Sequence, residues 1–332
     1  MSKPSANVIP KPSTPSPEIT ISNRTITIRD QPFQFRTFAP TSSNPKGLIL
    51  FNHGFCEHLG YYNDTFTKLA REGFTVVIFD QRGSGNTARN STEYGLTNEA
   101  AVFDDLDKII ELLIAGEIVK FDFGTKGSET TADTTPSTSH PPLFLWGHSM
   151  GGGITLTYGI KGQYRHSIRG YVGCAPLITL HPSTQPPWIL AKLLTFLAKR
   201  TPTLHMPTTL NLDHVTRDKA NTEWLKNDPL VKNVCTVGQM NDMILRGRAL
   251  TDPAWVKSFE GDQVLGTSVL IYHGEADQIN WLEGSQAFID ICPVKDKELW
   301  ALPGFKHSVH LEPTSERDPV EDRLISWFKA HI

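Results

Sequence analysis

The chain has 332 residues, enough for one large α/β core or two domains, and can bury on the order of three quarters of its unfolded surface without disulfide or metal staples. Hydrophobic residues make up 39% and charged residues 20%, an ordinary globular balance. A formal net charge of −3 with no run of Lys or Arg excludes the basic face that nucleic-acid binding needs and favours small neutral or amphiphilic ligands.

The N-terminal stretch "MSKPSANVIPKPSTPSPEIT" lacks the charged start and apolar run of a signal peptide, so a cytoplasmic rather than secreted protein is expected. Its Pro and Ser content predicts a disordered leader over residues 1–17. The sequons at Asn23, Asn63 and Asn90 are then accidents of composition. Cys56, Cys174, Cys235 and Cys292 are far apart and show neither CxxC nor Cys/His ligand spacing, which predicts free thiols and no metal site.

Taken in chain order, "EITISNRTITIRD" and "PFQFRTFAP" alternate like strands and predict a hairpin around Asp30 and Gln31. Short, wholly apolar runs follow: "GLILFNH" (47–53), "TVVIFD" (75–80), "LFLWGH" (143–148), "YVGCAPLI" (171–178), "SVLIYHG" (268–274) and "KELWAL" (297–302). Such runs read as strands buried on both faces. Helical periodicity at 62–72, 98–115, 150–161, 284–291 and 318–330 separates most of them, which predicts a mostly parallel sheet with helices on both faces. Residues 116–142 are rich in Thr, Ser and Pro and read as a flexible insertion, and 179–263 as a cap with helix-like stretches but no convincing strand. The core is then 18–178 plus 264–332. No stretch has the roughly 18 consecutive apolar residues of a membrane span; "PPWILAKLLTFLAKR" (186–200) comes nearest and reads as a cap helix that packs on the core or lines a tunnel and touches a membrane.

The run "LFLWGHSMGGGI" carries G-x-S-x-G between an apolar strand and a helix, the setting in which the motif has meaning. A serine on so sharp a turn is held out into a cleft, and Gly147 and Gly151 lack the Cβ atoms that would collide where strand and helix cross. Its hydroxyl needs a base, and the base an orienting acid. Downstream, Asp277 lies just past "VLIYHG" and His307 lies in the loop after "ELWALPG", in the order Ser, Asp, His. Loops at the carboxyl ends of parallel strands open on one edge of the sheet, so these residues can converge on Ser149. Glu275 competes for the acid and His310 for the base. The loop "NHGFCEH" would supply one backbone oxyanion donor at Phe55, and Met150 the other. In "FDQRGSG", Asp80 and Arg82 read as structural, fixing loops through an ion pair.

With "NHGFCEH", "FDQRGSG", "FLWGHSMGGGI", "GYVGCAPLITLHP", "YHGEADQIN" and "LPGFKHSVHLE" all present, the chain resembles the monoacylglycerol lipase branch of the α/β-hydrolase superfamily, and more closely its fungal members. The likeness runs from about residue 30 to the end, outside 116–142. It implies an α/β-hydrolase fold with an inserted helical cap, and hydrolysis of monoacylglycerol to glycerol and fatty acid with no cofactor. It places the nucleophile on Ser149, the acid on Asp277, the base on His307, and the oxyanion donors on the backbone of Phe55 and Met150. Glycerol contacts fall on Glu57 and His310. Animal members carry Arg where this chain has Tyr61. A lysophospholipase or broad carboxylesterase would use the same triad. Ser149 excludes the aspartate nucleophile of dehalogenases and epoxide hydrolases. Peripheral contact with membranes or lipid droplets through the cap is a further expectation.

Overall fold

The structure, a computed structural model, describes residues 19–42, 44–120, 140–208 and 210–332. The expected leader and residues 121–139 of the expected insertion lie outside the described residues. Strands β1 (Ile19–Ile28) and β2 (Gln31–Pro40) pair antiparallel with Ile28 opposite Gln31. The turn falls on Arg29 and Asp30, both left-handed at φ 48° and 64°, as a two-residue hairpin requires. It comes one residue earlier than the sequence indicates, because alternation marks the strands but not which residues take positive φ.

Next in the chain come β3 (Gly47–Asn52), α1 (Asn63–Arg71), β4 (Phe74–Phe79), α2 (Glu99–Ile114), β5 (Leu143–His148), α3 (Met150–Lys161) and β6 (Ile168–Cys174). The segment before the next sheet strand holds α4 (Trp188–Arg200), β7 (His205–Pro207), α5 (Lys219–Asn227), β8 (Val234–Thr236), α6 (Val237–Ala249) and α7 (Pro253–Val256). The chain closes with β9 (Ser268–Gly274), α8 (Leu282–Ile291), β10 (Asp296–Leu302) and α9 (Thr314–Ala330). The main sheet has the order β1-β2-β4-β3-β5-β6-β9-β10 and is parallel from β4 to β10.

Alternation within the strands divides the core. Leu48, Leu50, Leu143, Leu145 and Ile271 face α2, α3 and α8, while Ile49, Phe51, Phe144, Trp146 and Leu270 face α1 and α9. Both sets are buried, which is why these strands read as continuous apolar runs. From β3 the chain goes to β4 on one side and returns to β5 on the other, so the carboxyl ends of β3 and β5 flank the switch point where such sheets open a crevice.

The segment between β6 and β9 covers that edge. It contains an antiparallel β7–β8 pair that the sequence did not reveal, each strand having three residues, too few for alternation to register. Struts tie it to the core: His58 to Asp228 (2.8 Å), Arg246 to Glu99 (2.6 Å), Thr236 Oγ1 to the Gly95 carbonyl (2.7 Å) and Arg217 to Glu312 (2.9 Å). Tyr61 packs edge-on against Trp224 of α5. In contrast, α4 buries no residue completely: Leu194, Thr195, Leu197 and Ala198 are half-buried, and the helix packs on α6. Asp80 and Arg82 both fix loops, though not with each other: Asp80 accepts from the backbone of Leu59 and Asn86, and Arg82 pairs with Asp105 at 2.6 Å.

Candidate active site

Strand β5 ends at His148 and α3 begins at Met150, leaving Ser149 alone to turn the chain. Its backbone adopts φ 52°, ψ −117°, outside the regions open to an L-residue without strain, at a cost of about 1–3 kcal/mol. Three hydrogen bonds hold it there: Ser149 N donates to the Cys174 carbonyl (2.9 Å), and its own carbonyl accepts from Gly153 N (3.0 Å) and Leu177 N (2.8 Å). The flanking glycines are obligatory. A Cβ on Gly151 would lie 2.1 Å from the Asn52 carbonyl oxygen, and one on Gly147 2.2 Å from that of Gly151, both backbone atoms that cannot swing away.

Asp277 follows β9 and His307 follows β10. His307 Nδ1 lies 2.7 Å from Asp277 Oδ2, while Asp277 Oδ1 accepts from the backbone of Ile279 (2.7 Å) and Asn280 (3.0 Å). Burial works against the Asp277 charge, but His307 and His273 outweigh it and hold the carboxyl well below the usual carboxylate range. Burial lowers His307 below the ordinary histidine value despite Asp277. The neutral ring therefore donates a hydrogen bond from Nδ1–H to Asp277 and keeps an Nε2 lone pair. Ser149 and His307 line one cavity of about 780 Å³, and no hydrogen bond joins their side chains. Glu275, the rival acid, is exposed, whereas Asp277 is buried.

Phe55 and Met150 both have backbone N–H groups without an acceptor among the described residues. Met150 sits in the first turn of α3, where a helix leaves such donors unpaired. Phe55 lines the cavity, and Cys56 beside it is left-handed at φ 59°.

Glu57 also lines the cavity, but most of its carboxylate is engaged. Oε2 accepts from Gly54 N (2.6 Å) and from the Tyr62 hydroxyl, and Oε1 faces His148 Nδ1 at 2.9 Å. Burial opposes this charge, and His148 overrides burial, holding Glu57 well below the usual range. His148 is in turn raised above its ordinary value: burial lowers it, but Glu57 outweighs burial. His310 is not among the cavity-lining residues. It lies behind, its ring 4.3 Å from that of Tyr62 and 4.9 Å from that of His148. His148 also reaches the His307 carbonyl (3.3 Å), so it braces the Glu57 loop against the His307 loop. Sequence reasoning missed this role, since His148 occupies a variable position of the serine motif. It equally missed His273, which lies 3.1 Å from Asp277 Oδ2; the only signal was a polar residue inside the apolar run "SVLIYHG".

Among the described residues, His148, Cys174 and His310 bring metal-donor atoms within 4.8 Å of one another. The set is poorly suited to a cation: His148 is drawn toward its protonated form by Glu57, and burial pushes the Cys174 thiol up. All four cysteines are unpaired. Burial pushes Cys56 up to about 12, so near neutral pH its thiolate is scarce. N-ethylmaleimide should therefore inactivate slowly, at a rate rising about tenfold per pH unit, with Cys56→Ala protected. Full activity in protein whose Cys56 is shown by mass spectrometry to carry the adduct would refute this.

Residues 43–314 match the family described as Serine aminopeptidase, S33 (Hydrolase_4). The chain is 36% identical over 294 residues to the monoglyceride lipase of Saccharomyces cerevisiae, covering 86% of this chain and 85% of that protein. It is 27% identical to the monoacylglycerol lipase of Mycolicibacterium smegmatis, over 87% of this chain and 90% of the relative. The crystal structure of a soluble variant of the S. cerevisiae monoglyceride lipase, in complex with a substrate analog, superposes with a TM-score of 0.79 at 31% identity, over 94% of this chain and 97% of that one. The strained serine turn, the sheet order and these likenesses agree: the chain belongs to the Hydrolase_4 family (serine aminopeptidase, S33) and has the α/β-hydrolase fold of the yeast monoglyceride lipase.

Proposed function

We propose that the protein hydrolyses monoacylglycerols to glycerol and fatty acid through Ser149, Asp277 and His307. The observation that carries this reading is the cavity of about 780 Å³, walled by leucines of α4 and by Leu177, Leu180 and Met243, with Ser149 and His307 in the same wall. Its size suits one extended lipid ester. Ser149 Oγ attacks the ester carbonyl while His307 Nε2 takes its proton, and Asp277 stabilises the imidazolium. The N–H groups of Phe55 and Met150 hold the oxyanion. His307 then protonates the departing glycerol oxygen, and water, deprotonated by the same ring, releases the fatty acid.

The cavity wall includes no Lys or Arg among the described residues, and its one acidic side chain is Glu57. A phosphate head group would meet a carboxylate with no cation to balance it, which favours a neutral glycerol over a lysophospholipid. Of the roughly four acceptor sites on a carboxylate, three on Glu57 are used by Gly54, Tyr62 and His148, leaving room for one substrate hydroxyl. Turnover of monoolein beside diolein and lysophosphatidylcholine tests this. Monoolein is expected to be hydrolysed best. Equal or faster hydrolysis of lysophosphatidylcholine would remove the glycerol assignment of Glu57 while leaving the triad.

No helix among the described residues is long and apolar enough to cross a membrane. The outer face of α4 exposes Trp188 (67%), Ile189 (60%) and Phe196 (56%), with Lys192 over the Trp188 ring and Arg200 over Phe196. We assign this face to docking on a membrane or lipid-droplet surface, with apolar rings in the acyl boundary and cations among head groups. The leucines on its other side then receive the acyl chain directly.

A further inference from the structure

Asp277 has a second histidine partner. Alternation along β9 sends His273 to the same face as Ile271, toward α8, where a leucine would pack as well. The chain instead buries an imidazole there completely. Its Nε2 lies 3.1 Å from Asp277 Oδ2, the oxygen that also binds His307 Nδ1, and its Nδ1 lies 2.8 Å from the hydroxyl of Ser285 on α8, equally buried. Asp277 accepts hydrogen bonds only, so Nε2 carries the proton that faces it, and Nδ1 is left to accept from Ser285. A continuous line runs from Ser285 through His273 and Asp277 to His307. Two backbone donors already satisfy Oδ1, so His273 is not required merely to pair a buried carboxylate.

We propose that His273 is a positioning residue, its tautomer fixed by Ser285, which locks the rotation of the Asp277 carboxylate and moderates the pull that carboxylate exerts on the His307 proton. The inference rests on the reading of Asp277 and His307 as acid and base. A hydrogen bond donated to Oδ2 draws off charge that would otherwise stabilise the His307 imidazolium. Losing it makes Asp277 the stronger partner, so His307 holds its proton to higher pH and the acid limb of kcat/KM moves upward. The other groups facing His307 are His148 from β5, Glu57 from the loop after β3 and His310 beyond them, and none of these is altered by a change at His273.

The experiment measures kcat and KM against pH for wild type, His273→Leu, His273→Gln and Ser285→Ala. His273→Leu is expected to lower kcat roughly ten- to a hundredfold, the size of one hydrogen bond to a charged group, and KM should stay within about twofold. Its acid limb should rise by about half a unit to one unit. His273→Gln, whose amide can donate to the same oxygen, should restore most of both. Ser285→Ala, which frees the ring to change tautomer, should move the limb the same way by less. An unmoved limb in His273→Leu overturns the proposal, as does a loss that glutamine fails to rescue, because either result makes His273 a packing residue. If His273→Leu shows no cooperative melting, Ser285→Ala decides, and an unmoved limb there overturns it. Failure of the underlying triad would show separately, as turnover that survives Ser149→Ala in an otherwise native enzyme.

Discussion

Ser149→Ala should lower kcat for monoolein by about a millionfold, the scale measured when the serine of a triad protease is removed. The chemistry has no substitute nucleophile, since the cavity's other hydroxyls, on Tyr61, Ser183, Thr184, Thr208 and Ser308, lack the elbow that aims Ser149. What remains should be the slow attack of water assisted by the oxyanion donors, about a thousandfold or more above the uncatalysed rate. KM should change little, because the cavity wall is intact, and so should the melting temperature, because alanine inherits the same backbone strain. Fluorophosphonate should label the wild type and not the variant. Turnover near wild type in a folded Ser149→Ala protein would end the proposed mechanism.

His307→Ala should cost about as much, since nucleophile and base act as a unit, whereas Asp277→Asn should cost about 10⁴-fold. His310→Ala is the informative comparison. Its ring packs tilted against Tyr62 and edge-on against His148 behind the cavity, so its loss disturbs the bracing of Glu57 and should lower turnover by about a hundredfold at most. If His310→Ala and not His307→Ala abolished turnover, the base would have been misassigned. The pH profile carries a further sign. Burial lowers His307, and the active form is the neutral ring, so kcat/KM should hold as pH falls and drop only below the ordinary histidine value of about 6.5.

Much of the fold was legible because the sheet is buried on both faces. A strand such as Leu143–His148 then has no polar alternation to blur its limits, and the glycines after Ser149 mark the helix that follows. The approach of Asp277 to His307 follows from topology, since β9 and β10 are parallel neighbours whose carboxyl ends share an edge. What stayed hidden depends on side-chain direction. His148 and His273 are single polar residues within apolar runs, and a sequence does not say whether such a residue meets a carboxylate. His310 is the opposite case: three positions from His307, it competes for the base by sequence, but the short helical turn at Val309–Leu311 carries it behind Tyr62 rather than into the cavity. The β7–β8 pair and the partners of Arg82 rest on contacts between segments far apart in the chain, which local periodicity does not encode.

Helix α4 has a consequence for how stability is distributed over the molecule. A 13-residue helix is marginal in water on propensity alone, and this one contributes no buried side chain to the core that could hold it. The rest of the segment is clamped by ion pairs and backbone bonds to the sheet domain, so opening α4 breaks chiefly its packing on α6. Its amide hydrogens should therefore exchange among the fastest of any helix here, through a local opening far shallower in free energy than global unfolding. The cavity wall that α4 supplies is thus expected to open more readily than the sheet behind it.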